Sequence, residues 1–169
     1  MSSFSRRPFL QVATLAVVIC GSARAAEDLP AGRQDDLSER EARFQQTLSG
    51  VVLEGHFTII GADEPGPLRR ETYTIQSVQK LPEGDFWLFQ ARIQYGGRDV
   101  TLPLPLEVKW AGDTPVITLT RLTIPGLGTY SARVVIDGEN GKYAGTWSHD
   151  DRGGHMFGVI KPADPAERQ

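Results

Sequence analysis

The side chains best suited to chemistry lie close together near residue 150, in the stretch His149-Asp150-Asp151-Arg152-Gly153-Gly154-His155. Two imidazoles and a carboxylate form a donor set that holds zinc or copper. If the five residues between the histidines form a hairpin loop, His149 and His155 are directly opposed, with Cβ atoms about 5 Å apart. Asp150 is then the third ligand. The same residues also suit a polar hairpin tip, because Asp, Arg and Gly are favoured in turns, and a tighter turn at Arg152-Gly153 pairs His149 with Met156 instead. The sequence leaves both arrangements open.

Other reaction chemistries find little to stand on. The histidines are His56, His149 and His155, and none sits near a Gly-x-Ser-x-Gly nucleophile elbow. The chain has no Gly-rich phosphate loop, dinucleotide fingerprint or His-Glu-x-x-His helix, so no cofactor is expected. Paired carboxylates could form on folding, as in glycoside hydrolysis, but nothing along the chain marks which acids would pair. No catalytic residue is assigned, and a non-catalytic role is expected ahead of an enzymatic one.

A second set of candidates is aromatic. Trp87, Tyr95, Trp110, Tyr130 and Trp147 each share the parity of the apolar face of their segment. In a barrel all five point inward, where they either line a site for a small apolar ligand or fill the core by themselves. The segments that carry them read as strands. From Val100 to Trp110, Val100, Leu102, Leu104, Leu106, Val108 and Trp110 alternate with Thr101, Pro103, Pro105, Glu107 and Lys109. Trp87 to Tyr95, Tyr130 to Ile136 and Val51 to Ile59 behave alike.

Turn signals recur about every 8 to 12 residues. They fall at Gly61 to Pro67, Pro82 to Asp85, Gly96-Gly97, Ala111 to Pro115, Pro125 to Gly128, Asp137 to Gly141 and Asp150 to Gly154. These turns separate eight strands. Short connections predict an all-β, eight-stranded antiparallel up-and-down barrel, with a two-sheet sandwich as the alternative. Pro103 and Pro105 lack backbone donors on the same side, which predicts a gap or bulge beside the fourth strand and a barrel open there. Ahead of the strands, Ser38 and Glu41 have the spacing of a capping box, followed by a short helix through Ala42, Phe44 and Leu48. The expected division is a signal peptide over 1–25, a polar spacer with the helix over 26–48, the β-domain over 49–161 and a tail over 162–169.

Residues 1–25 combine a basic start, an apolar run from Val12 to Cys20 and Ala23-Arg24-Ala25 as a cleavage site. The run is too short for a stable membrane anchor. Ser5-Arg6-Arg7-Pro8-Phe9-Leu10 closely resembles a twin-arginine export motif, which implies passage across the membrane in the folded state and a periplasmic or secreted destination. Removal of this leader takes away Cys20, and with it all thiol and disulfide chemistry. It also takes Arg6, Arg7 and Arg24 from 18 basic side chains, leaving 15 against 21 acidic ones, a balance of −6 that repels nucleic acid.

The stretch Gly145-Thr146-Trp147, followed by Gly158-Val159-Ile160, resembles the closing hairpins of small exported lipocalin-like and avidin-like barrels. That resemblance implies a calyx able to hold one small ligand. The expected function is therefore a non-catalytic exported barrel that binds a small apolar ligand or an extracytoplasmic partner. The alternatives are an enzyme or metal-binding protein with its site near the last hairpin, and an outer-membrane barrel.

Overall fold

A computed structural model describes residues 31–60 and 67–164, with side chains described throughout except at residues 31–38 and Tyr95. The leader, its cleavage site and the end of the tail lie outside the described residues. Helix α1 (Ala31–Leu48) precedes eight strands: β1 (Val51–Phe57), β2 (Arg69–Lys80), β3 (Phe86–Tyr95), β4 (Arg98–Ala111), β5 (Thr114–Ile124), β6 (Gly128–Asp137), β7 (Lys142–His149) and β8 (Arg152–Pro162). Each strand pairs antiparallel with its sequence neighbours, and β8 returns to β1 from Val51↔Pro162 to Phe57↔Met156. The result is a closed up-and-down barrel rather than a sandwich, in which each strand is paired with a neighbour on both sides over at least part of its length.

The alternation of β4 is realised as read. Leu104, Leu106 and Val108 are buried, while Thr101, Pro103, Pro105 and Lys109 are exposed. Two bulges change the parity elsewhere. On β2 the register shifts between Ile75 and Ser77, so Ile75 and Val78 both face inward although three residues apart. On β5 it shifts between Leu119 and Leu122, where Arg121 takes a positive φ of 51° and Arg133 holds the kink by donating to the Leu119 carbonyl at 2.6 Å and to Thr120 Oγ1 at 2.9 Å.

The prolines act as expected on the ladder but do not open the barrel. The Val108 amide donates to the Asp85 carbonyl, next to β3, at 2.9 Å, so even-numbered β4 amides point to β3 and odd-numbered ones to β5. Pro103 and Pro105 therefore face β5. The β3–β4 register runs unbroken from Phe86↔Glu107 to Tyr95↔Arg98, whereas the β4–β5 register covers only Glu107↔Thr118 to Ala111↔Thr114. Beyond it lies a seam, spanned near its far end by Arg98 donating to the Gly126 carbonyl at 3.0 Å. The barrel stays closed because the paired part of β4 and β5 and the other seven ladders hold the cylinder.

Helix α1 begins earlier than the capping-box spacing predicts, so Ser38 and Glu41 lie inside it. From Arg33 to Leu48 the chain contains no Gly or Pro, so nothing breaks the helix ahead of Ser38. The helix stops at Gly50, which adopts a φ of 69° and donates its amide to the Ile75 carbonyl at 2.9 Å. Ser49 Oγ accepts from the Val78 amide at 3.1 Å, which ties the helix end to the β2 bulge. Phe44 and Leu48 are buried, with Phe44 edge-on to Trp87 at 4.9 Å and to Trp110 at 5.7 Å. The short helix expected from the sequence is a plug inserted into one end of the barrel.

Candidate functional site

The plug does not fill the interior. A cavity of about 190 Å³ remains, floored by Leu48 and walled almost entirely by apolar side chains, among them Phe57, Phe89, Leu104, Leu106 and Met156. Among the described residues a single carboxylate, Glu71, belongs to this lining. It is only 3% exposed. Each of its oxygens accepts one hydrogen bond: Tyr73 Oη donates to Oε2 at 2.9 Å and Tyr143 Oη to Oε1 at 2.8 Å.

The register explains how Tyr143 reaches Glu71 from three strands away. Tyr143 on β7 is paired with Gly158 on β8, Gly158 with Gly55 on β1, and Gly55 with Glu71 on β2. These four residues form one inward-facing row across the wall. Strands spaced about 4.8 Å apart put the ends of the row about 14 Å from each other. The tyrosine side chain can cross that distance to meet the glutamate only if nothing stands between them. A Cβ on Gly158 would lie 2.7 Å from the Tyr143 ring, and one on Gly55 would collide with the Tyr143 hydroxyl. The two glycines are the groove in which the ring lies.

Burial pushes the Glu71 carboxyl above its ordinary value of 4.5, and the hydrogen bonds from Tyr143 and Tyr73 oppose that rise. Burial first, and then the charge and hydrogen bond of Glu71, raise Tyr143 well above the ordinary tyrosine range. The shift favours the protonated Tyr143 hydroxyl, which is the form that donates to Glu71.

The aromatic candidates divide. Tyr130 and Trp147 line the cavity, with the Trp147 indole donating to the Thr58 carbonyl at 3.1 Å and standing edge-on to Phe57 at 5.7 Å. Trp87 and Trp110 belong to the plug instead. Trp87 is 1% exposed under Phe44, and Trp110 is half-buried beneath the Arg40 guanidinium, 4.2 Å from the ring centre. Strand parity alone could not place them, because the helix occupies that end of the barrel. The Tyr95 side chain lies outside the described residues.

The hairpin candidates are not brought together. His149 pairs with Arg152 across a two-residue turn at Asp150-Asp151, in which Asp150 takes a φ of 54°. Neither of the two expected turns forms. His155 pairs with Thr146 and so lies on the opposite face of the sheet from His149. His149 stacks on Tyr130 at 4.2 Å, with its Nε2 3.4 Å from Asp150, while His155 Nδ1 lies 3.5 Å from Thr58 Oγ1. Among the described residues no three His, Cys, Asp or Glu side chains converge as metal ligands.

Sequence reasoning missed Glu71 because it looks like an ordinary polar residue at the start of a strand. The signal that could have found it was parity, since Glu71, Tyr73 and Ile75 share one face and a carboxylate there points into the core. No protein-family model, curated protein or solved structure matches the chain.

Proposed function

We propose that the barrel is a binding protein that holds one small, largely apolar molecule in its interior. The observation that supports this reading is the cavity of about 190 Å³, largely apolar and with a tethered carboxylate at its wall. An eight-stranded barrel is narrow enough for side chains to fill completely. Here Ala91 and Ala132 in the lining leave room that larger residues would occupy. The outward faces carry the ion pairs Glu54–Lys161, Arg92–Asp99 and Asp85–Lys109, which favours an aqueous setting over an outer-membrane one. With the leader motif, we place the site of action outside the cytoplasm.

Titration with ethylbenzene, followed through Trp147 emission and thermal unfolding, tests the reading. Trp147 lines the cavity and should report saturable one-to-one binding. Ligand at about 100 times its Kd should add about 2.7 kcal/mol to the stability. Ala91→Leu, which fills the space, should abolish binding. Absence of saturable binding to the parent protein, or undiminished binding to a folded Ala91→Leu variant, would refute the reading.

A further inference from the structure

We infer that the cavity selects ligands that carry a basic nitrogen on a small apolar body, with Glu71 as their anchor. This deepens the proposed function and rests on it. A carboxylate offers about four acceptor positions, and Tyr73 and Tyr143 each occupy one, on different oxygens. About two positions remain, and Glu71 belongs to the cavity lining. No Lys, Arg or His belongs to the cavity lining among the described residues, so the protein provides Glu71 with donors but no compensating charge there. A buried anion without a counter-ion is costly, and a cationic donor relieves that cost where a neutral hydroxyl supplies only a hydrogen bond.

The surroundings suit the rest of such a molecule. Tyr73, Tyr130, Trp147 and Phe57 present aromatic surface to the same space, which attracts an ammonium group and packs against a hydrocarbon body. A cavity of about 150 Å³ admits benzene. At about 190 Å³ this one suits a single ring with a short aminoalkyl arm, or an aliphatic amine of like size.

A proton and an ammonium group compete for the same carboxyl, so affinity for the amine falls as the solution is acidified through the titration of Glu71. The groups that face Glu71 are Tyr73 from its own strand and Tyr143 from β7, with Gly55 and Gly158 contributing no charge from β1 and β8. Tyr95 is its partner in register on β3. Among the described residues Tyr130 is the remaining ionisable residue of the lining, and its hydroxyl donates to the Leu127 carbonyl at 3.0 Å.

Calorimetric titration with phenethylamine, 2-phenylethanol and ethylbenzene decides the matter, since the three differ mainly in the terminal group. At about pH 7.5 the amine should bind at least about tenfold more tightly than ethylbenzene, with the alcohol between them. Glu71→Gln should lose at least about tenfold for the amine while ethylbenzene changes by less than about twofold. In the parent protein, lowering the pH to about 4.5 should weaken the amine and leave ethylbenzene unchanged. Equal affinity for amine and hydrocarbon overturns the inference and leaves the apolar binding site standing. So does an unchanged preference in Glu71→Gln. If that variant does not fold, the parent pH series decides alone, and a flat profile for the amine overturns the inference. Failure of all three compounds to bind overturns both readings.

Discussion

Tyr143→Phe removes one hydroxyl from the centre of the barrel and leaves the ring in its glycine groove, so packing over Gly55 and Gly158 is preserved. What is lost is the 2.8 Å hydrogen bond to Glu71 Oε1. A hydrogen bond to a charged group contributes about 1.5–3 kcal/mol, and one between neutral groups about 0.5–1.5 kcal/mol. The cost should therefore depend on whether Glu71 is ionised. Its folded-state pKa is raised above the ordinary 4.5, so the folded protein holds the proton more tightly than the unfolded chain. The resulting contribution is fully present below about pH 4.5 and is lost as the pH rises through the folded value, at no more than about 1.4 kcal/mol per pH unit. Removing a donor to the ionised form moves the folded pKa further up and extends that decline. Urea unfolding from about pH 4 to 8 should show the variant within about 1.5 kcal/mol of the parent in acid and about 1.5–3 kcal/mol below it at the alkaline end. Glu71→Gln should flatten the dependence in either background. A difference between Tyr143→Phe and the parent that is constant across this range would refute the reasoning, because the hydroxyl would then not be supporting a carboxylate.

Phe44→Ala should cost about 3–5 kcal/mol in urea unfolding, since the ring is buried against Trp87, Phe89 and Trp110; Trp110→Ala, half-buried, should cost clearly less, and equal values would mean the helix does not plug the barrel. Amides from Leu119 to Ile124, beside the seam left by Pro103 and Pro105, should exchange with heavy water faster on average than those from Tyr130 to Ile136, and equal protection would show the seam to be as firmly closed as the other ladders. Changing Arg6 and Arg7 together to Lys should trap the precursor in the cytoplasm with the leader uncleaved after Ala25, whereas undiminished export would point to the general secretory route.

Much of the architecture was legible because it depends on local patterns. Period-two alternation from Val100 to Trp110 needs only the pleat of a strand, and the seven turn segments need only residues tolerant of tight backbone geometry. Together they specified eight antiparallel strands, and the lack of N–H groups on Pro103 and Pro105 specified a weakened ladder on one side of the fourth strand, while the fold decided that this side faces β5. The bulges at Gln76 and at Thr120-Arg121 were not legible, because a bulge is chosen by the neighbour it must fit and not by the residues that form it. The helix shows the same division. Its existence was readable from spacing, but its use as a plug, and the withdrawal of Trp87 and Trp110 from the cavity, follow from which end of the cylinder it enters. The hairpin histidines were separated by a single choice of turn, which parity then converts into opposite faces of a sheet. The candidate site itself is wholly tertiary. Tyr143, Gly158, Gly55 and Glu71 span three of the barrel's strand pairings, including the closing contact of β8 with β1, so no local pattern could join them. Only closure of the barrel brings a tyrosine and a glutamate 72 positions apart in the chain to hydrogen-bonding distance.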